Sequence, residues 1–278
     1  MERKRYLIKF YYIGSEKYFG SQRQNKFETI ENQLIRSLLE KNYIKDIENA
    51  GFEVASRTDK YVSARGACFS FISERKPILM EINSVLPRDI GLWAFSKVIF
   101  DFSSRFNALF RTYKYIFVLP EQKEQDYNLK VMKKACKVLE GRHDFLNFSK
   151  REKEEINTIR DMKLADFNKE GQFLIFTFKS QAFLRQQIRR MIAKILEVGI
   201  GTLTIKEFTS LLNVEKFISY QPADPTGLIL WDILYDNNIN FTIDTKSYER
   251  MMIYFSRQYE KFSLKKKLFS ILQHHDIS

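Results

Sequence analysis

The sequence is poor in the residues that build disulfides, zinc sites and phosphate-binding loops. Its 278 residues include two cysteines, Cys68 and Cys136, which do not form a CxxC pair, and three histidines, at positions 143, 274 and 275. We therefore expect reduced thiols, no disulfide framework and no metal site of the usual spacing. Neither GxxxxGK nor GxGxxG occurs among the 10 glycines, which excludes the common glycine-rich phosphate loops.

Long uncharged apolar segments are also missing. No run approaches the roughly 20 residues that a membrane-spanning helix requires. Lys9 and Glu16 interrupt the apolar segment near the N-terminus, so that segment does not have the pattern of a signal peptide. We expect a cytoplasmic protein that does not bind a membrane.

Acidic residues are too few to balance the basic ones. The chain has 46 Lys and Arg against 34 Asp and Glu, which gives a net charge of +12. This excess favours an anionic partner, with nucleic acid ahead of a membrane surface. Three segments are basic and contain no acid, at 103–115, 183–194 and 263–268.

The first two basic segments also carry aromatic or amide side chains. Cations bind phosphate and rings stack on unpaired bases, so this combination suits RNA. The candidate RNA-binding residues in them are Arg105, Arg111, Lys114, Arg185 and Arg190. The alternative is that the rings fill the core while the cations coat the surface.

Hydrophobic periodicity predicts strands and helices mixed along the whole chain. Strands are predicted at 5–14, 66–73, 91–100, 112–120 and 227–236, and a hairpin at 156–180. Helices are predicted after the candidate N-cap Thr29 and at 77–87, 127–141, 183–201 and beyond 242. Because strict βαβ alternation is missing, we predict an α+β fold with a largely antiparallel sheet.

The order of these elements suggests three parts. We divide the chain into an N-terminal α+β half (1–110), a C-terminal α+β half (111–241) and a basic helical extension (242–278). The extension has two open interpretations: it binds RNA, or it covers a partner subunit.

Asp59 stands between two cations, Arg57 and Lys60, directly after an apparent strand. A carboxylate beside cations stays ionised even when it is partly buried, which suits a nucleophile or a base. The alternative is an ordinary aspartate that caps the turn after it, and the residues alone leave both open. No second carboxylate stands at a recognisable spacing, so hydrolysis by paired acids is disfavoured.

Arg189 is a candidate partner for this carboxylate. In the helix predicted at 183–201 it flanks the apolar stripe by one position, so we expect it half buried, with Arg190 facing outward. A half-buried guanidinium requires an anionic partner, and Asp59 could supply it.

Eight blocks, in the same order along residues 5–236, resemble the TruA family of tRNA pseudouridine synthases. SRTDKYVSARG resembles the family's catalytic GRTDxGVxAxG, and FYYIGSEKYFGSQRQ resembles YDGTxFxGWQxQ. TIENQL is similar to TVExxL, INSVLPRDIGL to LNxxLPxDIxV, and SSRFNALFRTYKYIF to xARFxAxxRxYxYxI. EGRHDFLNF is similar to EGxHDFxxF, FLRQQIRRMIAKILEVGIG to FLxxMVRxxVGxLLxVGxG, and PADPTGLIL to APPxGLxL.

This resemblance implies an isomerase that converts uridine to pseudouridine in the anticodon stem-loop of tRNA, at tRNA positions 38, 39 and/or 40. It implies no cofactor, no metal and a homodimer. The implied fold is that of the pseudouridine synthases: two RRM-like halves that share a mixed, mainly antiparallel central sheet, with a catalytic cleft between them. The alternatives are a non-catalytic RRM-like RNA-binding protein, or the same chemistry on another RNA.

The resemblance also implies roles for five residues. Asp59 aligns with the essential aspartate that acts on the ribose, and Arg57 with an arginine that helps to hold the flipped-out nucleotide. Tyr113 aligns with the tyrosine that stacks on the target base, and Arg189 with the buried arginine that pairs with the aspartate. Leu228 aligns with an apolar residue beside the site.

The sequence departs from the family pattern at several positions near these residues. Ser56 and Tyr61 replace motif glycines, Ser21 replaces a tryptophan, Ser63 stands where bacterial members often carry histidine, and Ala223 stands in the proline-rich turn. If the backbone after the aspartate has a positive φ, Tyr61 is strained there. These departures remove no catalytic position and leave the choice of target open.

Overall fold

The computed structural model describes residues 2–151, 156–214 and 217–273. The strands are β1 (Lys4–Tyr12), β2 (Glu53–Val54), β3 (Ser63–Ser73), β4 (Ile90–Val98), β5 (Phe110–Val118), β6 (Gly141–Asp144), β7 (Ile159–Glu170), β8 (Phe173–Ser180), β9 (Leu228–Leu234) and β10 (Thr242–Ile243). The helices are α1 (Ile30–Glu40), α2 (Ile47–Ala50), α3 (Leu79–Asn83), α4 (Leu129–Leu139), α5 (Gln187–Gly199), α6 (Ile205–Ser210) and α7 (Thr245–Leu272).

All ten strands belong to one sheet, in the order β10-β4-β1-β3-β9-β5-β8-β7-β6, with β2 paired to β3. Among the described residues, every strand pair is antiparallel except β3–β9, where Ser63 lies opposite Ile229 and Ala64 opposite Leu230. The predicted α+β fold with a mixed, mainly antiparallel sheet is therefore confirmed.

The parallel pair β3–β9 joins strands from the N-terminal part of the chain to strands from its C-terminal part. On one side of it lie β3, β1 and β4, and on the other β9, β5, β8, β7 and β6. β10 and α7 return from the C-terminal end of the chain to pack on β4. The division at residues 110 and 241 stays a prediction.

The helix boundaries follow local capping chemistry. α1 begins after Thr29, whose hydroxyl accepts a hydrogen bond from the Asn32 amide at 3.3 Å, so the predicted N-cap is confirmed. α5 begins only at Gln187, and the predicted start at residue 183 is wrong. Gln186 has a left-handed backbone (φ 60°), the Leu184 amide donates to the Gln187 side chain at 2.8 Å, and the Gln187 amide donates to the Leu184 carbonyl at 3.1 Å, so a turn at 184–187 precedes the helix.

The two faces of the sheet are covered differently. Along β1, Phe10 and Tyr12 belong to the main core, whereas Tyr11 belongs to a small second cluster with Trp93 and Met251. Because successive side chains of a strand point to opposite faces, these clusters lie on opposite sides of the sheet. The main core includes residues of α1, α3, α4 and α5, and the second cluster is covered by the first half of α7.

Candidate active site

The loop that carries Asp59 joins β2 to β3 and is held at Thr58. The Thr58 hydroxyl lies 2.7 Å from the Tyr12 hydroxyl, and its amide donates to Ser21 Oγ at 2.7 Å. The Ser21 amide in turn donates to the Thr58 carbonyl at 3.1 Å. Ser21, which the sequence marked only as a departure from tryptophan, thus fixes the backbone one residue before Asp59.

Two glycines in the segment that follows β1 allow the loop that carries Asp59 to pack closely against that segment. A Cβ on Gly14 would lie 2.2 Å from the Tyr61 carbonyl carbon, and one on Gly20 would lie 2.8 Å from the Thr58 oxygen. Both approaches are too close for any side chain, and Gly20 also has a φ of +91°. The loop therefore requires glycine at both positions.

Tyr61 has a left-handed backbone, with φ 69°, two residues after Asp59. The sequence predicted strain at Tyr61 if its φ were positive. The positive φ confirms this prediction, because tyrosine stands where the family motif has glycine. A left-handed conformation costs a non-glycine residue about 1–2 kcal/mol. The protein covers part of the Tyr61 residue, and 36% of it remains exposed.

Asp59 and Arg189 form an ion pair across the sequence. Arg189 Nη1 lies 2.6 Å from Asp59 Oδ2, and the two side chains are 11% and 31% exposed, respectively. Arg189 Nε donates to the Ala223 carbonyl at 2.8 Å, while the Ala223 amide donates to the Arg189 carbonyl at 2.9 Å. Two sides of the guanidinium are thus fixed, and its charge orients the carboxylate.

Tyr113 and Leu228 lie on the neighbouring strands β5 and β9, and Tyr113 is close enough to Asp59 to feel its charge. Tyr113 is buried on β5, and its ring makes an edge contact with Phe183, with centroids 5.2 Å apart. Burial is the main cause that raises the pKa of Tyr113 to about 12; Arg111 and the Ser56 hydroxyl oppose the rise, and the negative charge of Asp59 adds to it. The phenol therefore stays protonated at neutral pH. Leu228 is buried at the start of β9, opposite Tyr115 on β5.

Arg111 is buried, and its hydrogen bonds hold several segments of the site together. Its guanidinium donates to Ser56 Oγ, the Ala55 carbonyl and the Arg105 carbonyl, each at 2.8 Å, and also to the Gln181 carbonyl. Only 7% of Arg111 is exposed. The sequence predicted an RNA contact here, but the side chain points into the protein and connects three loops around Asp59.

Arg190 is also buried, so the prediction that it faces outward is wrong. Only 6% of the residue is exposed, and its guanidinium lies over the Tyr220 ring, 5.1 Å from the centroid. Burial lowers the pKa of Arg190. The physical reason is the segment around Tyr220, which covers this side of α5.

The other candidate cations are distributed over both faces of the sheet. Arg57, Arg105 and Arg185 are exposed. Lys114 is half buried on the opposite face from Tyr113, with its ammonium 4.0 Å from the Trp231 ring centroid. The roles predicted for all of these residues, and for Asp59, Tyr113, Arg189 and Leu228, stay predictions.

The part of the chain that the structure describes contains neither a cluster of metal-ligating side chains nor a membrane-spanning helix. Among those residues, no three His, Cys, Asp or Glu side chains are grouped closely enough to hold a metal ion. No helix within the described ranges is long and apolar enough to cross a membrane.

Comparison with known proteins places the chain in a family. A family described as tRNA pseudouridine synthase matches residues 135–236. The chain is similar to tRNA pseudouridine synthase A of Methanosphaera stadtmanae, with 35% identity over 95% of this chain and 96% of that one. It is also similar to the proteins of that name from Archaeoglobus fulgidus (35%, over 94% and 97%) and Thermococcus sibiricus (33%, over 94% and 96%). At this identity over nearly the full length of both chains, the protein belongs to the tRNA pseudouridine synthase A (TruA) family, whose members are isomerases.

Proposed function

We propose that this protein isomerises uridine to pseudouridine in the anticodon stem-loop of tRNA, at tRNA positions 38, 39 and/or 40. The observation that carries the proposal is the Asp59–Arg189 ion pair, with its 2.6 Å contact in a loop fixed by Gly14, Gly20 and Ser21. An ionised, oriented carboxylate beside a buried aromatic residue is the arrangement that this reaction requires.

The reaction breaks one bond and forms another without net oxidation. Asp59 attacks or deprotonates the ribose, and the glycosidic bond between the sugar and N1 of uracil breaks. The detached uracil turns and rebonds to the sugar through carbon 5. If Asp59 attacked the ribose, the bond between its carboxylate and the sugar breaks in this step; if Asp59 deprotonated the ribose, it returns that proton. Carbon 5 then loses its proton to solvent and N1 gains one, so base and sugar keep their composition.

The neighbours of Asp59 have separate tasks in this scheme. Arg189 holds the carboxylate in one orientation and balances its charge. Tyr113, a neutral phenol with a pKa of about 12, offers its ring to the uracil, and Leu228 provides an apolar contact. The target nucleotide is extruded from the stacked arm so that the ribose reaches the carboxylate, and the exposed Arg57 holds it.

Cations outside the site hold the rest of the tRNA in this proposal. Arg105 and Arg185 are exposed on the segments that flank the site, and Lys114 lies on the second face of the sheet. Their charges attract the phosphate backbone, as does the net charge of +12. Such contacts position the RNA without reading its sequence.

Tritium release tests the proposed reaction directly. The purified protein is incubated with tRNA transcripts that carry tritium on carbon 5 of uridine, and the label released to water is counted. Transcripts with cytidine at positions 38, 39 and 40 serve as the matched control and should release none. Binding without release from any RNA would favour the non-catalytic RNA-binding alternative, and release from other sites would favour the same chemistry on another RNA.

Arg111→Lys is expected to impair activity through the position of the loop. Lysine cannot satisfy all four acceptors, so the free energy of unfolding should fall by about 3 kcal/mol. Displacement of Ser56 and Ala55 should lower kcat by about 10- to 100-fold. Urea unfolding and tritium release measure the two effects.

Arg5→Lys is the matched control for this variant. Arg5 is half buried, and like Arg111 its guanidinium makes several hydrogen bonds. It donates to the Phe100 carbonyl, the Gly51 carbonyl and Ser70 Oγ, at the opposite end of β1 from Tyr12. The free energy of unfolding of Arg5→Lys should fall by an amount comparable to that of Arg111→Lys, and its kcat should be unchanged. Equal loss of kcat in both variants would mean that Arg111 contributes stability alone.

We further propose that the protein acts in the cytoplasm as a homodimer, with the second half of α7 in the interface. The first half covers Tyr11, Trp93 and Met251, but the second half leaves large apolar side chains more than 50% exposed. These are Tyr259, Phe262, Leu264, Leu268, Phe269, Ile271 and Leu272. So many exposed apolar groups on one helix mark an interaction surface.

Removal of residues 257–278 is expected to convert the dimer to a monomer. This truncation keeps Met251, Tyr254 and Phe255, so the second cluster stays covered and the melting temperature should change little. Light scattering after gel filtration gives the mass. A dimeric truncated chain whose tRNA affinity has lost salt dependence would instead assign this segment to RNA, because its lysines at 261 and 265–267 are removed.

A further inference from the structure

An exposed aromatic surface adjoins the loop that carries Asp59. The Phe19 and Phe27 rings stack with centroids 4.2 Å apart and planes 22° apart. The Lys60 ammonium lies 4.0 Å from the Phe19 centroid and 4.9 Å from the Tyr61 centroid. These four residues, here called the aromatic ledge, extend from the residues that directly follow Asp59 in the chain.

The backbone conformation of Tyr61 indicates that the aromatic ledge binds a partner molecule. Tyr61 keeps a left-handed φ of 69° while 36% of the residue is exposed. More than a third of this residue therefore remains open to a partner, in a backbone conformation that glycine would adopt without strain. An outlier of this kind next to a reactive group supports a functional explanation.

The ledge is held in place before any partner arrives. The Phe19 amide donates to the Glu28 carbonyl at 2.8 Å, and Gln24 Nε2 donates to the Phe19 carbonyl at 2.7 Å. Asn32 Nδ2 donates to the Phe27 carbonyl at 3.3 Å, which ties the ledge to the first turn of α1. A surface ordered in advance binds with a smaller entropic cost.

The chemistry of the ledge selects an unpaired nucleobase as its occupant. Phe19 and Phe27 are 39% and 45% exposed, so part of their ring surface remains open to solvent. The Lys60 ammonium between the Phe19 and Tyr61 rings disfavours a purely apolar protein segment but suits a base with its phosphate. The chain's net charge of +12 favours the same partner.

We propose that the aromatic ledge stacks an unpaired base that neighbours the target nucleotide, with Lys60 facing the phosphate between them. This inference rests on the proposed function, because the neighbouring base lies beside the ledge only when the target ribose reaches Asp59. Stacking there would help to keep the loop open while the target is extruded. Tyr61 and Phe27 are then positioning residues rather than catalytic ones.

Tyr61→Gly and Phe27→Leu test the ledge, with Phe100→Leu as the matched control. Phe100 is 57% exposed and lies just beyond β4, near the end of the sheet where Arg5 pairs with Val98, far from the loop of Asp59. Fluorescence anisotropy of a labelled anticodon stem-loop RNA should show a Kd about tenfold higher for each ledge variant. Phe100→Leu should leave the Kd unchanged.

Kinetics and stability separate stacking from a structural role. Tyr61→Gly should raise the KM for tRNA about tenfold and leave kcat at saturating tRNA unchanged. Its melting temperature should stay close to that of the unaltered protein, since relief of the backbone strain offsets the lost ring contacts. A lower melting temperature with an unchanged Kd would overturn the proposal.

Abasic RNA identifies the stacked nucleotide. In a series of stem-loops with one base removed at a time, the effect of Tyr61→Gly on Kd should vanish for one base beside the target. An effect that persists across the whole series would contradict stacking. If the unaltered protein releases no tritium but the ledge variants still lose RNA affinity, the proposed function fails and the stacking surface stands.

Discussion

Asp59→Asn is expected to abolish pseudouridine formation while tRNA binding is retained. The change removes the charge that acts on the ribose but keeps the shape of the side chain, and Arg189 Nη1 can still donate to the amide oxygen. The rate of tritium release should fall by about 10⁴-fold or more, the scale on which removal of a catalytic nucleophile acts. The Kd for tRNA should stay within about twofold, because one half-buried carboxylate adds little to binding that phosphate contacts dominate.

Asp232→Asn is the matched control for this change. Asp232 also pairs with a cation, Lys9, at 2.5 Å, and its side chain is 39% exposed against 31% for Asp59. Lys9 lies near Trp93 in the second cluster, so this pair is on the other face of the sheet. Loss of activity in Asp232→Asn alone, with Asp59→Asn active, would refute the assignment of the reactive carboxylate.

Arg189→Met should cost both stability and activity. Methionine keeps much of the side-chain volume but leaves the Asp59 carboxylate without its counter-ion and the Ala223 carbonyl without its donor. Breaking a buried pair in this way costs about 3–5 kcal/mol, and the partial exposure of Asp59 places the expected loss near 2–3 kcal/mol. With the carboxylate no longer oriented, kcat should fall by about 10²- to 10³-fold.

A double-mutant cycle isolates the pair from the rest of the site. In Asp59→Asn/Arg189→Met no carboxylate is left unpaired, so the double variant should unfold at higher urea than the sum of the single changes predicts. Strict additivity of the two free-energy changes would mean that the 2.6 Å contact contributes no coupling.

Arg189 and Arg190 show how much of the site could be predicted from the sequence. Hydrophobic periodicity placed Arg189 at the edge of an apolar stripe, and the structure pairs it with Asp59. The same periodicity failed for Arg190, because a segment distant in sequence covers it through Tyr220. A pattern within one helix contains no information about which loop packs on its outer face.

The burial of Arg111 could have been anticipated. Arg111, Tyr113 and Tyr115 alternate along β5, so the arginine shares the face of the two buried tyrosines. The contribution of Ser21 had no such signal, since its partner Thr58 is 37 residues away and only the folded loop brings them together. Hydrophobic periodicity identifies which face of a strand or helix is buried. Contacts between side chains on distant loops depend on tertiary packing.

The position of β9 between β3 and β5 has a consequence for synthesis on the ribosome. β3 ends at Ser73 and β5 at Val118, but the strand that joins them spans Leu228–Leu234. A nascent chain therefore exposes two unpaired strand edges for more than a hundred residues of elongation. Arg189 also emerges long after Asp59, so the reactive carboxylate gains its counter-ion only late in translation. The chain should be most prone to aggregation, and still inactive, until residue 234 has left the exit tunnel.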